Sequence, residues 1–234
     1  MTQSCRCLVV VLAACGFLAQ FGVAQESTPP FSAAEREAIY TASIEKRAAD
    51  ILQSLALTEA SRSNNVRSAI IAQYRTLRAR DEAIDTMLRA LSRDVPGAQT
   101  NRAEILPILS KQLHRQYLAR LSADLTPEQV ELVKDKMTYN KVKVTYDAYC
   151  QIVPSLGDVE KSRILTLLKD AREEAMDGGS ADEKSAIFQK YKDQINAFLN
   201  SKGHDVAKAI KDWEARQELA KQGQPISSGG QSPN

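Results

Sequence analysis

The chain reads as an all-α protein, an irregular bundle of about six to seven helices. Three observations predict this. Apolar residues recur at steps of three and four through almost every long segment, the spacing that lines one face of a helix. Helix-start signals repeat along the chain, each a serine, threonine or asparagine followed three residues later by a glutamate or glutamine. A single run, Lys141 to Tyr146, alternates like a strand, and no other run can pair with it. A lone strand leaves its amides without partners, so a sheet is excluded.

The ends set the domain layout. Residues 1–24 have the form of a signal peptide, with Arg6 as the positive start, an apolar run from Leu8, and small residues Gly22-Val23-Ala24 before a cleavage point. The run is broken by Gly16, Gln20 and Gly22, which argues against a stable membrane anchor. Leu12-Ala13-Ala14-Cys15 has the form of a lipid-attachment site, but Phe17 to Ala24 stays apolar where a lipoprotein carries a polar tether. Cleavage near Ala24 is therefore the preferred expectation, with export to the periplasm or beyond. It removes Cys5, Cys7 and Cys15 and leaves Cys150, so no intrachain disulfide forms in the mature chain. Residues 25–221 are expected to form one helical domain, and the Gly/Ser/Pro/Gln-rich 222–234 a disordered tail. A net charge of +2 lacks the basic excess that tracks phosphates, which argues against nucleic acid as a partner.

Along the domain, Ser32 and Glu35 form a capping box, and Tyr40, Ile44, Ala48, Ile51 and Leu55 share the face of the helix that follows. Thr58 is expected to cap a long helix reaching Leu91. Its stripe of Val66, Ile70, Tyr74, Leu77, Ile84 and Leu88 is interrupted at Arg80-Asp81. Such a break marks either a buried polar site or a helix leaving the core, and the second is the expectation. Ser92 to Thr100 reads as a loop around Pro96-Gly97. Asn101 and Glu104 then box a helix through Leu109, Leu113, Tyr117 and Leu121, with Pro107 kinking it or delaying its start. Thr126-Pro127-Glu128-Gln129 is the clearest start, with threonine as cap and proline where no amide is needed.

Residues 139–154 are expected to be a kinked, tyrosine-rich crossing, extended over Asn140 to Val144 and helical from Thr145 to Val153. Tyr146, Tyr149 and Val153 share a face there, with Cys150 beside them as a small core residue. Asp158 is expected to cap a helix carrying Ile164, Leu168, Ala171 and Ala175, stopped by Gly178-Gly179. Ser180 and Glu183 start the next, with Phe188, Tyr191, Ile195 and Phe198 along one side to Gly203. Val206, Ile210 and Trp213 line the last.

Catalytic and metal chemistry find little support. There is no HExxH, no paired-cysteine motif and no phosphate-cradling glycine loop, so no catalytic residue, metal or cofactor is assigned. His114 and His204 sit on separate elements and read as satisfied or surface histidines. Asp170, Glu173, Glu174 and Asp177 share a helix with Lys169 and Arg172, the pattern of a solvated, internally paired face. Asp177 to Glu183 lacks the alternating oxygen ligands of a calcium loop and reads as a helix stop followed by a cap.

The aromatic set bears most on function. Tyrosine and tryptophan rings present flat apolar faces with a polar edge, which suits the C–H face of a sugar ring. Tyr139, Tyr146, Tyr149 and Trp213 are the candidate faces, and Asn140, Asp147 and Arg172 the candidate hydrogen-bonding groups. Their spacing alone favours a core role.

KDKMTYNKVKVTYDAYC (134–150), AREEAMDGGS (171–180), Glu183-Lys184 and KYKDQINAFLNSKGHD (190–205) resemble a family of exported bacterial proteins. That family is a domain of unknown function described as sugar-binding, found in bacteria that degrade complex polysaccharides. The likeness runs from about Tyr40 to about Asp205. It departs at Leu156 to Glu160, where the family pattern has a second Leu-Thr-x-x-Gln helix start. It departs again at Lys192 to Asn196 and at His204, where Lys-Gly-Arg-Ile-Asn and a tyrosine are usual. The resemblance implies a non-catalytic protein whose partner is an oligosaccharide or polysaccharide. Leu57-Thr58 and Leu125 to Gln129 also resemble the Leu-Thr-x-x-Gln motif of small periplasmic helical chaperones, which keeps an envelope chaperone as the alternative. A polyuronate lyase using tyrosine as base is a further alternative, since a phenol of lowered pKa accepts a proton.

Overall fold

The computed structural model of the chain describes residues 31–94 and 102–222. The expected leader, the Asn101 cap, the Pro96-Gly97 turn and the tail after 222 lie outside the described residues.

Within them the chain forms eight helices and no strand. The first is α1 (Ala33–Leu55), then α2 (Ala60–Asp94), α3 (Arg102–Asp124) and α4 (Pro127–Met137). After these come α5 (Lys141–Ile152), α6 (Asp158–Met176), α7 (Ala181–Ser201) and α8 (Val206–Gln222). The caps account for many of the boundaries. The Glu35 amide donates to Ser32 Oγ while the Ser32 amide donates to the Glu35 carboxylate. Thr126 and Gln129 make the same exchange at 3.3 and 3.1 Å. Each cap contributes about 1 kcal/mol.

Several boundaries differ from the sequence expectation. The first helical amide bond of α2 runs from Ser63 to the Glu59 carbonyl, so the helix starts after Glu59 and Thr58 stays outside it. The same helix continues to Asp94, through the first residues of the expected loop. Pro107 neither stops nor delays α3, which begins at Arg102 and carries the proline inside it. It forfeits one backbone bond there, on a stretch where Ile108 and Leu109 face solvent and Leu109 lies off the core stripe. Gly157, not Asp158, precedes α6, and its amide donates to Glu160 Oε2 at 2.8 Å. The expected extended run 140–144 is helical from Lys141. Its alternation of polar and apolar side chains is an accident of one helical turn, with Val142 buried and Val144 exposed.

Two apolar cores organise the bundle. Ile44, Ile51, Ile70, Leu121, Val133 and Met137 fill the first, between α1, α2, α3 and α4. Ile164, Leu168, Phe188, Ile195, Leu199 and Val206 fill the second, between α5, α6, α7 and α8. Met176, at the end of α6, reaches into the first core and ties the two together. Among the described residues no helix is long and apolar enough to cross a membrane.

Candidate functional site

Helix α4 ends in a hydrogen-bonded stop that places two residues in the left-handed region. The Asn140 amide donates to the Asp135 carbonyl at 2.7 Å, and the Tyr139 amide donates to the Lys136 carbonyl at 3.2 Å. This is the Schellman arrangement, whose first residue past the cap takes a positive φ and is usually glycine. Here Tyr139 occupies that position at φ 59°, followed by Asn140 at φ 54°. For a residue bearing a Cβ the left-handed region costs roughly 1–2 kcal/mol. The fully buried Thr138 holds the turn, its hydroxyl donating to the Lys134 carbonyl at 2.9 Å. The chain restarts as α5 at once, and the tyrosine ring is left 43% exposed.

The candidate residues divide around this kink. Tyr139 and Asn140 form it, with Tyr139 exposed and Asn140 half-buried. Tyr146 and Asp147 lie on the following helix, both half-buried, and Lys143 Nζ pairs with the Asp147 carboxylate. Tyr149 is different. It is buried in the second core, and its hydroxyl donates to Asn196 Oδ1 at 2.7 Å, with the Lys192 carbonyl at 3.2 Å. A ring enclosed in this way offers no face to a ligand, so Tyr149 is removed from the stacking set. Replacing it with phenylalanine is expected to cost about 1–2 kcal/mol in urea denaturation, because the Asn196 oxygen loses its donor. A change within error would show that the hydroxyl is not held as described.

Arg172 is also buried, 3% exposed, and is committed within the protein. Its Nη1 donates to Asp135 Oδ1 at 2.7 Å, and Nη2 to the Glu131 and Glu173 carboxylates. Burial opposes the charge, yet Asp135 and Glu131 hold its proton more firmly than in water. It is therefore not a free hydrogen-bonding group for a sugar. Trp213 lies on α8, half-buried, with its indole N–H enclosed and unpartnered. Cys150, expected in the core, is half-buried. Loss of water, then the neighbouring Cys150, raises the Tyr146 phenol above its ordinary value, and burial raises Tyr149.

Sequence reasoning missed the polar seam that runs between the two cores. Arg80, expected at the core's edge, is 6% exposed, and Ile84 beyond it is fully buried, so the helix does not leave the core. The Arg80 guanidinium donates to Asp81 Oδ1, to Ser110 Oγ at 2.8 Å and to the Asp177 carbonyl at 2.8 Å. Arg102 reaches Asp81, Asp85 and Glu183. His114 stands 3.2 Å from the Asp177 carboxylate and 3.5 Å from Glu173. Hydrogen bonds to those two carboxylates raise the imidazole to about 9. Burial works against the Glu173 charge, but His114, Lys134 and Arg172 bring its carboxyl down to about 2. So Glu173 and Asp177 are not a solvated acidic face; they turn inward. Glu174 and Asp170 keep the outward role, Glu174 pairing with Lys190.

Lys184 closes the seam. It is 2% exposed, and its ammonium donates to the Ala175 carbonyl at 2.8 Å at the end of α6. Burial lowers its pKa to about 8, against the pull of Asp177 and Glu183. The glycines of the α6–α7 turn complete this junction. A Cβ on Gly179 would fall 1.9 Å from Asp81 Oδ2, so a larger residue there would displace the carboxylate that Arg80 and Arg102 hold. The one sequence signal for the seam was the break in the α2 stripe at Arg80-Asp81.

Neither of two open clefts among the described residues is lined by Tyr139 or Asn140. An open cleft of about 260 Å³ lies between the α5–α6 turn and the start of α8, beside Val153, His204 and Asp212. A smaller one of about 170 Å³ lies between α1 and α2, where Arg78 stacks over the Tyr40 ring at 4.4 Å. His204 is satisfied by Glu160 at 3.0 Å. Among the described residues no cluster of histidine, cysteine or carboxylate side chains is arranged to hold a metal.

Fold and site together define an all-helical protein with a buried ionic seam and a tyrosine displayed on a kink. Residues 41–218 match the family described as protein of unknown function (DUF3826), and the chain belongs to that family. No curated protein matches it.

Proposed function

We propose that this is an exported, non-catalytic carbohydrate-binding protein serving polysaccharide capture or breakdown, with Tyr139 as its stacking face. The observation that supports this is a tyrosine, ring partly exposed, at a helix-ending position whose backbone favours glycine. Strained residues concentrate where function requires them. A flat ring on an open surface suits an extended polymer, and the half-buried Asn140, Tyr146 and Asp147 supply polar groups on the same segment.

The test separates function from folding. Replacing Tyr139 with glycine is expected to abolish binding to whichever plant or algal oligosaccharide the parent protein recognises in calorimetry. The same change relieves the backbone and raises stability by about 1 kcal/mol. A parent protein that is folded and silent across the panel, or a variant that binds undiminished, refutes the reading.

The chaperone alternative draws on Met87, Ile108 and Leu109, exposed apolar residues on neighbouring helices α2 and α3. It requires near-stoichiometric suppression of aggregation of an unrelated denatured client. The lyase alternative needs a phenol of lowered pKa, and Tyr146 and Tyr149 are both raised.

A further inference from the structure

We infer that Arg172 is a positioning residue for the Tyr139 surface, acting through Asp135. This rests on the reading of Tyr139 as the binding face, and it names the device that sets that face.

Asp135 has two roles at once. Its carbonyl accepts the Asn140 amide at 2.7 Å, the long bond that closes the left-handed turn. Its carboxylate takes Arg172 Nη1 at 2.7 Å from α6. Glu131, one turn earlier on the same face of α4, takes Nη2 of the same guanidinium. One planar, buried cation therefore grips α4 at two points four residues apart, the second of them the residue on which the kink closes.

The rest of the turn cannot do this alone. Tyr139 sits in a region that residues with a Cβ avoid, and only Asn140 beside it adopts that region readily, so the local backbone favours relaxing at the tyrosine. Thr138 fixes the end of α4 to itself, through the carbonyls of Lys134 and Asp135, and does not fix it to α6. Lys134 adds a second link, to Glu131 and Glu173, but its flexible ammonium makes no contact with Asp135. The guanidinium is the contact that ties the kink-closing residue of α4 to α6. A lysine at 172 keeps the charge and cannot span both carboxylates with fixed geometry.

Amide hydrogen exchange on the full chain reads the device directly. In Asp135→Asn and in Arg172→Lys, the Asn140 amide is expected to exchange about tenfold or more faster than in the parent. Ile70 and Ile195, buried in the two cores, serve as references and should change far less. Two results overturn the proposal. One is unchanged Asn140 exchange in both folded variants. The other is the same acceleration at Asn140, Ile70 and Ile195, which means that Arg172 only stabilises the fold as a whole. Oligosaccharide titration of the parent is a separate arm. Its failure refutes the sugar reading and leaves the exchange result to decide the positioning role.

Discussion

Replacing Arg80 with alanine is expected to lower the free energy of unfolding by about 3–5 kcal/mol, the cost of removing one partner from a buried ionic group. The Arg80 side chain is 3% exposed, and it satisfies three acceptors that have little access to water. With the guanidinium gone, Ser110 Oγ, the Asp177 carbonyl and part of Asp81 lose their donor. The α2 helix then meets the α6–α7 turn through a carboxylate beside Gly179 that has lost its buried partner and keeps Arg102. Arg78, two residues earlier, is the internal control. It is 38% exposed and pairs with Glu37 and Glu82 on the surface, where such pairs contribute at most about 1 kcal/mol. Chemical denaturation of both alanine variants decides the matter. Equal losses would mean that the seam does no more than a surface ion pair.

The second large effect is a fall in stability on the alkaline side of neutrality. His114 is raised from an ordinary 6.5 to about 9 in the folded protein, so the folded state binds its proton more tightly than the unfolded chain does. Its contribution is complete below pH 6.5 and is lost as pH rises towards 9. Two and a half pH units correspond to about 3 kcal/mol at most. Lys184 works in the opposite sense. Burial lowers it from 10.5 to about 8, so folding gains stability as that lysine discharges above pH 8. The expected curve falls by up to about 2 kcal/mol between pH 6.5 and 8, then flattens as the two terms oppose. The groups facing His114 are Glu173 and Asp177, themselves held by Lys134, Arg172 and Arg80. His114→Gln removes the fall while leaving the Lys184 rise. A parent curve that is flat from pH 6.5 to 8 contradicts the assignment.

These two predictions concern the part of the protein that was least visible in one dimension. The capping boxes at Ser32 and Thr126 and the stripe from Ile44 to Leu55 were legible because they are local. Each is a relation between residues three or four apart, and it holds in any fold that keeps the helix. The resemblance carried by the blocks from Lys134 to Asp205 agrees with the match at the level of a domain of unknown function. The errors were of another kind. Asn140 to Val144 looked extended because alternation over five residues does not distinguish a strand from one helical turn with one buried valine. Tyr149 and Arg172 stayed among the candidates, although their spacing favoured a core role, because side-chain chemistry does not fix exposure. The left-handed Tyr139 was hidden because no glycine marks the turn.

What the amino-acid sequence determined by itself was an all-helical chain and most of its helices. Their periodicity and caps are short-range, and their free energies act within a single element. The tertiary structure alone decided which charges are buried. Arg80 meets the Asp177 carbonyl across 97 residues, and Arg172 meets Asp135 across 37. No local rule pairs a guanidinium with an acceptor at such distances. The pairs form because burying the two cores brings α2, α4 and α6 together, and a charge taken out of water there must find its partner or the packing fails.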